Sequence, residues 1–340
     1  MKAHKRITAF GEVMMRLAVP NYETLSQSRS LTYAFTGTGV NIAAAMARLG
    51  HEASIVTTVP DNSLGDAAAA SLRALDLNTR FVRAEGSILG SYYLETGYGM
   101  RPTRVTYGSR KNSSFNSTAK EAYNTMLIAE NTDYLHLCGI GLAMNANVRY
   151  QMKSLAEQVK SAGGSVVFDC NYRSTLWEEE ERRHAKSYYE EMLCLADIVM
   201  MNERDAISLL GYQSSFEGRT EQLQELIPMI ASKYAIKMIA GTQREVGPDH
   251  HHMITGYMYK DGMMKIGRPM NAVVLDRVGA GDAYTAGIIH SNINGYDAEY
   301  AVQFATAASI LAHTVPGDTA ALSEQDIVRA MHELAPDIER

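Results

Sequence analysis

The sequence predicts an α/β protein with a mainly parallel central sheet that is covered by helices on both faces, together with a small second sheet. Three observations indicate this fold. From about residue 134 onward, short apolar runs alternate with helix-like segments; a pair of Tyr-rich, strand-like segments lies between residues 90 and 111; and a Gly-rich turn at residues 279–282 leads into a helix. Strands that are separated by helices imply right-handed crossovers and therefore a parallel sheet.

Short apolar runs predict the strands of the central sheet, and longer mixed segments between them predict its helices. The predicted strands are Ile7–Met14, Glu52–Val59, Tyr134–Leu137, Ser165–Asp169, Asp197–Met201 and Ile236–Ile239. The predicted helices are Ile42–Leu49 (with Gly50 as its C-terminal cap), an Ala-rich helix ending near Leu75, Asn147–Ser161, Glu178–Leu195, Glu203–Leu210, Thr220–Lys233, Ala283–Ile293, Ala298–His313 and Ser323–His332. An antiparallel hairpin at the sheet edge is expected from Met253–Tyr259 and Met263–Arg268.

The segments Ser91–Thr96 and Arg104–Tyr107 are strand-like, but they contain many tyrosines and few aliphatic residues. We interpret this hairpin as a binding or contact surface rather than as part of the core. The polar segment Leu25–Phe35 fits an excursion from the main sheet. The run Asp249–His252 is interpreted as a solvated loop rather than a metal site, because no ligand spacing accompanies it.

Composition limits the possible partners. The chain has 340 residues, 46% of them hydrophobic and 21% charged, and a formal net charge of −6, which argues against nucleic acid as a main partner. Three widely separated cysteines form neither a metal-ligand spacing nor a disulfide framework, so we expect a reducing, cytoplasmic environment. No apolar run reaches the roughly 20 residues that span a bilayer, and residues 1–6 lead directly into a strand-like segment rather than a signal-peptide core.

The turn Gly279-Ala-Gly-Asp282 carries the strongest chemical signal. Its glycines allow a sharp turn and a close approach to a ligand, and its amides open a helix without intrahelical partners, which creates an anion site. A carboxylate beside an anion is unfavourable unless it has a task. The task that we infer for Asp282 is to accept the proton of a hydroxyl that attacks a phosphate. The alternative is an ordinary Gly-rich turn with an Asp cap.

Polar residues follow several of the predicted strands, where ligands bind in open parallel sheets. We therefore expect them to share one cleft: Arg16, Asp169–Arg173, Asn202, Thr242, Asp276 and Asp282.

With these residues in view, the chain resembles a known family. The motif Asp276-x-x-Gly-Ala-Gly-Asp282 is similar to the C-terminal signature of the ribokinase-like (PfkB) sugar kinases, and Thr36-Gly-Thr-Gly-Val-Asn41 resembles their N-terminal glycine–asparagine element, although Thr36 replaces a glycine. The resemblance covers nearly the whole chain. It implies a ribokinase-like three-layer α/β/α sandwich, formed by residues 1–340 as one domain, with a lid at about residues 15–36 and 88–115.

The same resemblance implies transfer of the γ-phosphoryl group of ATP to a sugar hydroxyl, with Mg²⁺ as cofactor. Asp282 would be the base, and the anion hole would comprise the backbone N–H groups of Gly279, Ala280, Gly281 and Asp282. The residues implied in ATP binding are Asn202, Thr242, Arg244, Gly279, Gly281 and Gly317. Asp205 stands where the family has a Glu tied to the metal; its alternative role is that of a helix-start acid.

The substrate is indicated by the stretch Asp169–Trp177, which resembles that of 2-keto-3-deoxygluconate kinases. Arg173 would read the sugar carboxylate with its guanidinium fork. The residues implied in substrate binding are Gly37, Asn41, Tyr92, Tyr107, Arg110, Arg173, Asp276 and Arg16. In many relatives that act on neutral sugars an Asp stands in place of Arg16, so a cation there favours an acidic substrate.

Alternatives remain open at this point. A neutral-sugar kinase such as a fructokinase, or a non-catalytic sugar or nucleotide sensor, has the same fold. The tyrosines of the lid could also pack between two lids, and a homodimer through the lid is expected because its sheet has open edges.

Overall fold

The computed structural model describes residues 4–247, 252–320 and 322–332. Its strands are β1 (Arg6–Phe10), β2 (Met14–Ala18), β3 (Thr32–Thr36), β4 (Glu52–Val59), β5 (Val82–Ala84), β6 (Gly90–Glu95), β7 (Arg104–Tyr107), β8 (Tyr134–Cys138), β9 (Ser165–Asp169), β10 (Ile198–Met200), β11 (Met238–Val246), β12 (His252–Lys260), β13 (Met263–Ile266) and β14 (Met270–Ala272). Its helices are α1 (Thr38–Arg48), α2 (Ser63–Ala74), α3 (Thr125–Glu130), α4 (Ala146–Ser161), α5 (Glu179–Arg182), α6 (Ala185–Leu195), α7 (Arg219–Tyr234), α8 (Ala280–Ile293), α9 (Ala298–His313) and α10 (Glu324–Met331).

The central sheet has the order β13-β12-β11-β10-β9-β8-β1-β4-β5, with β14 paired to β12. In this spatial order, every neighbouring pair from β11 to β5 is parallel. Strand β12 pairs antiparallel with β11, β13 and β14. The β12–β13 hairpin therefore lies at the sheet edge, as predicted. A parallel arrangement needs crossover helices, and these cover both faces.

Alternating side chains of the strands pack into separate cores on the two faces of this sheet. In β9, Val166 and Phe168 belong to the core beneath α4, α6 and α7, whereas Val167 belongs to the core beneath α1, α8 and α9. Because successive side chains of a strand point to opposite faces, a strand buried on both sides reads as one continuous apolar run. The predicted three-layer α/β/α fold with a mainly parallel sheet is confirmed.

A separate four-stranded sheet, β3-β2-β6-β7, is called the lid below. Strands β2 and β3 lie within residues 14–36, and strands β6 and β7 lie within residues 90–107. The β2–β6 pair is parallel and both outer pairs are antiparallel. Strand β7 is exposed along its whole length, which agrees with its low aliphatic content.

The predicted first strand, Ile7–Met14, is wrong in its second half. Strand β1 ends at Phe10, the Gly11 amide makes a last bond to the carbonyl of Val56 in the main sheet, and β2 begins at Met14 in the lid. Strands β1 and β2 and the residues between them are largely buried, so the sequence reads as one continuous apolar run. Such a run does not show where the chain leaves one sheet and enters another. The predicted helix Glu178–Leu195 is likewise interrupted, as α5 and α6.

Among the described residues, no helix combines the length and the apolar character needed to cross a bilayer. Residues 249–251 of the predicted solvated loop lie outside the described residues.

Candidate active site

A cavity of about 1020 Å³ opens at the carboxyl ends of β1, β8, β9 and β10, and the lid lines one of its sides. This is where an open parallel sheet binds ligands. Most of the residues predicted from the sequence line it: Gly37, Asn41, Tyr92, Tyr107, Arg110, Arg173, Asn202, Asp205, Thr242, Arg244, Gly279, Ala280, Gly281 and Asp282.

Helix α8 begins at the cavity. Its N-cap, Gly279, has φ 84°, and a Cβ added there would lie 1.9 Å from the carbonyl oxygen of Asp318. A Cβ at Gly281 would meet no other atom within 4 Å, so the backbone there is open to a ligand. Among the described residues, the amides of Gly281 and Asp282 have no hydrogen-bond acceptor. Two free amides at the positive end of a 14-residue helix form an anion site.

The carboxyl group of Asp282 is buried beside these amides, and the side-chain amide of Asn41 donates to its Oδ2 at 2.7 Å. Burial raises the pKa of Asp282 to about 8. The Asn41 hydrogen bond opposes this shift, while the negative charges of Asp169 and Asp318 add to it. Such a group holds and releases a proton near neutral pH, as a general base must.

Asn41 is itself held in one orientation. Its Oδ1 accepts hydrogen bonds from the hydroxyls of Thr36, at 3.1 Å, and Thr319, at 2.9 Å. With the oxygen engaged in this way, the amide nitrogen faces Asp282. Asn41 therefore orients the carboxylate, whereas the sequence predicted contact with the substrate.

Asp169 and Asp205 also line the cavity. Burial raises the pKa of Asp169 to about 7, with a contribution from the charge of Asp205, and raises that of Asp205 to about 6. Asp205 also begins a single π-helical turn, and its Oδ2 accepts the Asn202 amide at 2.9 Å. Asp205 therefore does lie at a helix start, which is the alternative role that was considered for it.

Five arginines line the cavity, and three of them, Arg204, Arg244 and Arg277, lie within reach of each other's charge at Arg244. Burial lowers the pKa of Arg244, and the charges of Arg277 and Arg204 lower it further, so both of these guanidinium groups repel that of Arg244. None of the three makes a side-chain hydrogen bond or ion pair with a described residue. Of these three arginines only Arg244 was predicted from the sequence. Arg277 follows Asp276 directly and Arg204 precedes Asp205 directly, so a positive charge beside a predicted site residue was the available signal.

Arg173 is exposed on the cavity wall, and its guanidinium makes no hydrogen bond with a described residue. The cavity is also lined by Tyr107 of the lid and by Arg110, which follows β7 and whose guanidinium lies 5.0 Å from the Tyr107 ring centre. Arg173 and Arg110 therefore both present a cationic side chain to the cavity. The phenol of Tyr92 donates to Asp318 Oδ2 at 2.5 Å.

Three predicted site residues do not line this cavity: Arg16, Asp276 and Gly317. Arg16 is buried and forms ion pairs with both Asp276 and Asp318. Asp276 also accepts the amide of Gly317 at 3.2 Å. Since two carboxylates balance its charge, Arg16 gives no support to an acidic substrate. The structure places Asp318, the residue after Gly317, on the cavity wall.

Comparison with known proteins assigns the family. The model of the pfkB family of carbohydrate kinases matches residues 4–325. The chain belongs to this family. It is 28% identical to the 2-dehydro-3-deoxygalactonokinase of Haloferax volcanii over 96% of each chain.

Two solved structures show the same fold as this pfkB kinase. A protein of Enterococcus faecalis, provisionally assigned as a 2-keto-3-deoxygluconate kinase, is 35% identical and has a TM-score of 0.94, with 99% of each chain covered. The 2-dehydro-3-deoxygluconokinase of Thermotoga maritima is 29% identical with a TM-score of 0.92, covering 97% of this chain and 99% of that one.

The buried carboxyl group of Asp282 has a consequence for the stability of this kinase. Its pKa is raised from 3.8 to about 8 on folding, so between these values the native state binds more protons than the unfolded chain. Stability contributed by this group is therefore present at low pH and is lost as the pH rises towards 8. Asp282→Asn should have a higher Tm than the wild type, by at least about 3 °C at pH 8 and by much less at pH 5. Thermal unfolding at several pH values measures this difference.

The matched control is Asp61→Asn, because Asp61 is exposed. Its Tm should differ from that of the wild type by the same small amount at every pH. A constant difference for Asp282→Asn as well would show that the Asp282 carboxyl is not held in its protonated form.

Proposed function

We propose that the protein transfers the γ-phosphoryl group of ATP to a hydroxyl of 2-keto-3-deoxygluconate. The observation that carries this proposal is the buried carboxyl group of Asp282, oriented by Asn41 and adjacent to the open amides of α8. Phosphoryl transfer requires mainly positioning and charge stabilisation, and these groups supply both.

In the proposed reaction, Asp282 accepts the proton of the attacking hydroxyl. The amides of Gly281 and Asp282 stabilise the negative charge on the transferred group from the helix end. Arg204, Arg244 and Arg277 bind the remaining phosphates, because Arg204 and Arg277 each repel Arg244 and a polyanion would offset this repulsion. Thr242 and Asn202 lie on the same wall and contact the nucleotide.

The residues present also fit Mg²⁺. Asp169 and Asp205 would hold it, with waters completing its shell, because Mg²⁺ commonly keeps several waters and binds through one or two carboxylates. When bound, the ion would neutralise phosphate charge and lower the raised pKa values of these carboxyls.

An acidic substrate is supported by Arg173. Its guanidinium lies on the cavity wall without a protein partner, and a carboxylate matches it in two hydrogen bonds. The relatives that act on 2-dehydro-3-deoxy sugar acids support the same substrate class. They include enzymes for both the gluconate and the galactonate, so both epimers belong in a substrate test.

The lid presents a surface that fits a second copy of the chain. Its edge strands β3 and β7 are open, and Tyr33 and Val105 are 65% and 47% exposed. Because Val105 also lines the cavity, a partner lid would cover the sugar side of the site. We therefore include a homodimer through the lid in the proposal.

Turnover should depend on Asp282. Asp282→Asn cannot accept a proton, so kcat should fall by about 10³-fold, while the wild-type rate should rise with pH up to about 8 as the carboxyl group ionises. A coupled assay of ADP formation measures both. Unchanged turnover in Asp282→Asn would falsify its role as the base.

Substrate choice should depend on Arg173. The wild type should phosphorylate 2-keto-3-deoxygluconate or its galactonate epimer in preference to fructose, and Arg173→Met should lower kcat/KM for the sugar acid by about 100-fold, because the carboxylate loses a charge-assisted bidentate partner. Arg183→Met, which changes an exposed arginine away from the cavity, is the matched control. Faster turnover of fructose by the wild type would favour a neutral-sugar kinase.

The lid interface should be visible in solution. Sedimentation at micromolar concentration should give a dimer for the wild type and a monomer for Tyr33→Glu, because a charge at a buried apolar contact is destabilising. A monomeric wild type would exclude the proposed dimer.

A further inference from the structure

Glu12 is a buried carboxylate that no step of the proposed reaction uses. It lies directly after β1, at the point where the chain passes from the central sheet to the lid, and its side chain is only 5% exposed. Three side chains donate to it: Arg110 Nε to Oε2 at 2.8 Å, Ser113 Oγ to Oε1 at 2.6 Å, and Asn116 Nδ2 to Oε1 at 3.3 Å. Burying a charge is unfavourable unless partners satisfy it, and all three partners come from the segment that follows β7.

Glu12 uses only one nitrogen of Arg110. The Nη1 and Nη2 groups make no hydrogen bond with a described residue, although the side chain is only 11% exposed and lines the cavity. Nearly buried guanidinium nitrogens need acceptors. Since the protein supplies none, the geometry indicates an anionic group of a ligand.

The surroundings of Glu12 restrict the orientation of Arg110 further. The backbone carbonyl of Arg110 accepts Asn116 Nδ2 at 2.9 Å, so the residues that bind Glu12 also hold the Arg110 backbone. At the start of β6, a Cβ on Gly90 would lie 2.4 Å from Glu12 Oε1, so a side chain there would displace the carboxylate. The ring of Tyr107 supports one face of the guanidinium.

We infer that Glu12 is a positioning residue for sugar-acid specificity: it binds Nε of Arg110 and thereby directs Nη1 and Nη2 at the substrate carboxylate. This rests on the proposed function. The Glu12–Arg110 pair has no net charge, so the net electrostatic attraction for an acid comes from Arg173. Arg110 fixes the orientation of the bound carboxylate. A guanidinium bound at Nε retains its two Nη groups for a bidentate contact with a second carboxylate.

The test is the kinetics of Glu12→Gln with 2-keto-3-deoxygluconate, fructose and ATP. Gln retains an oxygen for Ser113 and loses the charge that holds Arg110. The KM for the sugar acid should rise about tenfold, with kcat changed by less than about threefold and with unchanged KM values for ATP and fructose. Glu178→Gln is the matched control, because it removes the partner of the adjacent Lys111 in an exposed pair.

A double-mutant cycle separates positioning from a structural role. In an Arg110→Met background, Glu12→Gln should raise the KM for the sugar acid by less than about twofold, because two changes in one interaction are not additive. If Glu12→Gln does not fold, Glu12→Asp retains the charge but shortens its reach, and the same cycle applies. Additive effects, or equal losses for fructose and ATP, would show that Glu12 only stabilises the loop.

The outcomes also distinguish this inference from the function on which it rests. If the wild type prefers the sugar acid and Arg110→Met loses that preference while Glu12→Gln retains it, this inference alone is overturned. A wild type that prefers fructose overturns the proposed function, and this inference with it.

Discussion

The buried ion cluster around Arg16 holds together the parts of the molecule on which the active site depends. Arg16 belongs to lid strand β2, Asp276 begins the loop that leads into α8, and Asp318 lies on the cavity wall. Arg16 keeps the pKa of Asp276 below its usual range, and the Tyr92 phenol completes the shell of Asp318. Removing one member of such a cluster costs about 3–5 kcal/mol, because a buried charge loses its partner. The lid base and the start of α8 are thus held in one arrangement.

The ionisable groups that line the cavity form two sets. Asp282, Asp169 and Asp205 are carboxyl groups whose pKa values burial raises, and the three cavity arginines are cations without protein partners. In the absence of ligands both sets are unfavourable, because the buried carboxyl groups lack a cation and the arginines lack an anion. In the proposed function, a triphosphate would satisfy the arginines and a divalent cation would satisfy the acids, so Mg²⁺–ATP would relieve both kinds of repulsion at once. This electrostatic cost in the free enzyme is the kind of local instability that functional sites retain.

The sequence was informative where function depends on contiguous residues. Gly279, Gly281 and Asp282 share one helix start, so their spacing alone predicted an anion site with a base. Arg16 was misread, because its partners Asp276 and Asp318 lie 260 and 302 residues away in the chain. The change of sheet after Phe10 was also missed, since buried strands in the main sheet and in the lid have similar apolar patterns. Long-range ion pairs and strand pairing are tertiary effects that local patterns do not encode.

The proposed recognition of the substrate also depends on contacts between residues that lie far apart in the chain. Arg110 and Arg16 are both lid arginines, and by residue type each could read a carboxylate. Their roles differ because of the number of acceptors around them: two carboxylates use both Nη groups of Arg16, whereas one carboxylate uses only Nε of Arg110. That carboxylate belongs to Glu12, 98 residues earlier in the chain. In the proposed function, specificity for an acid would therefore depend less on the presence of an arginine than on which of its nitrogens the protein leaves unpaired.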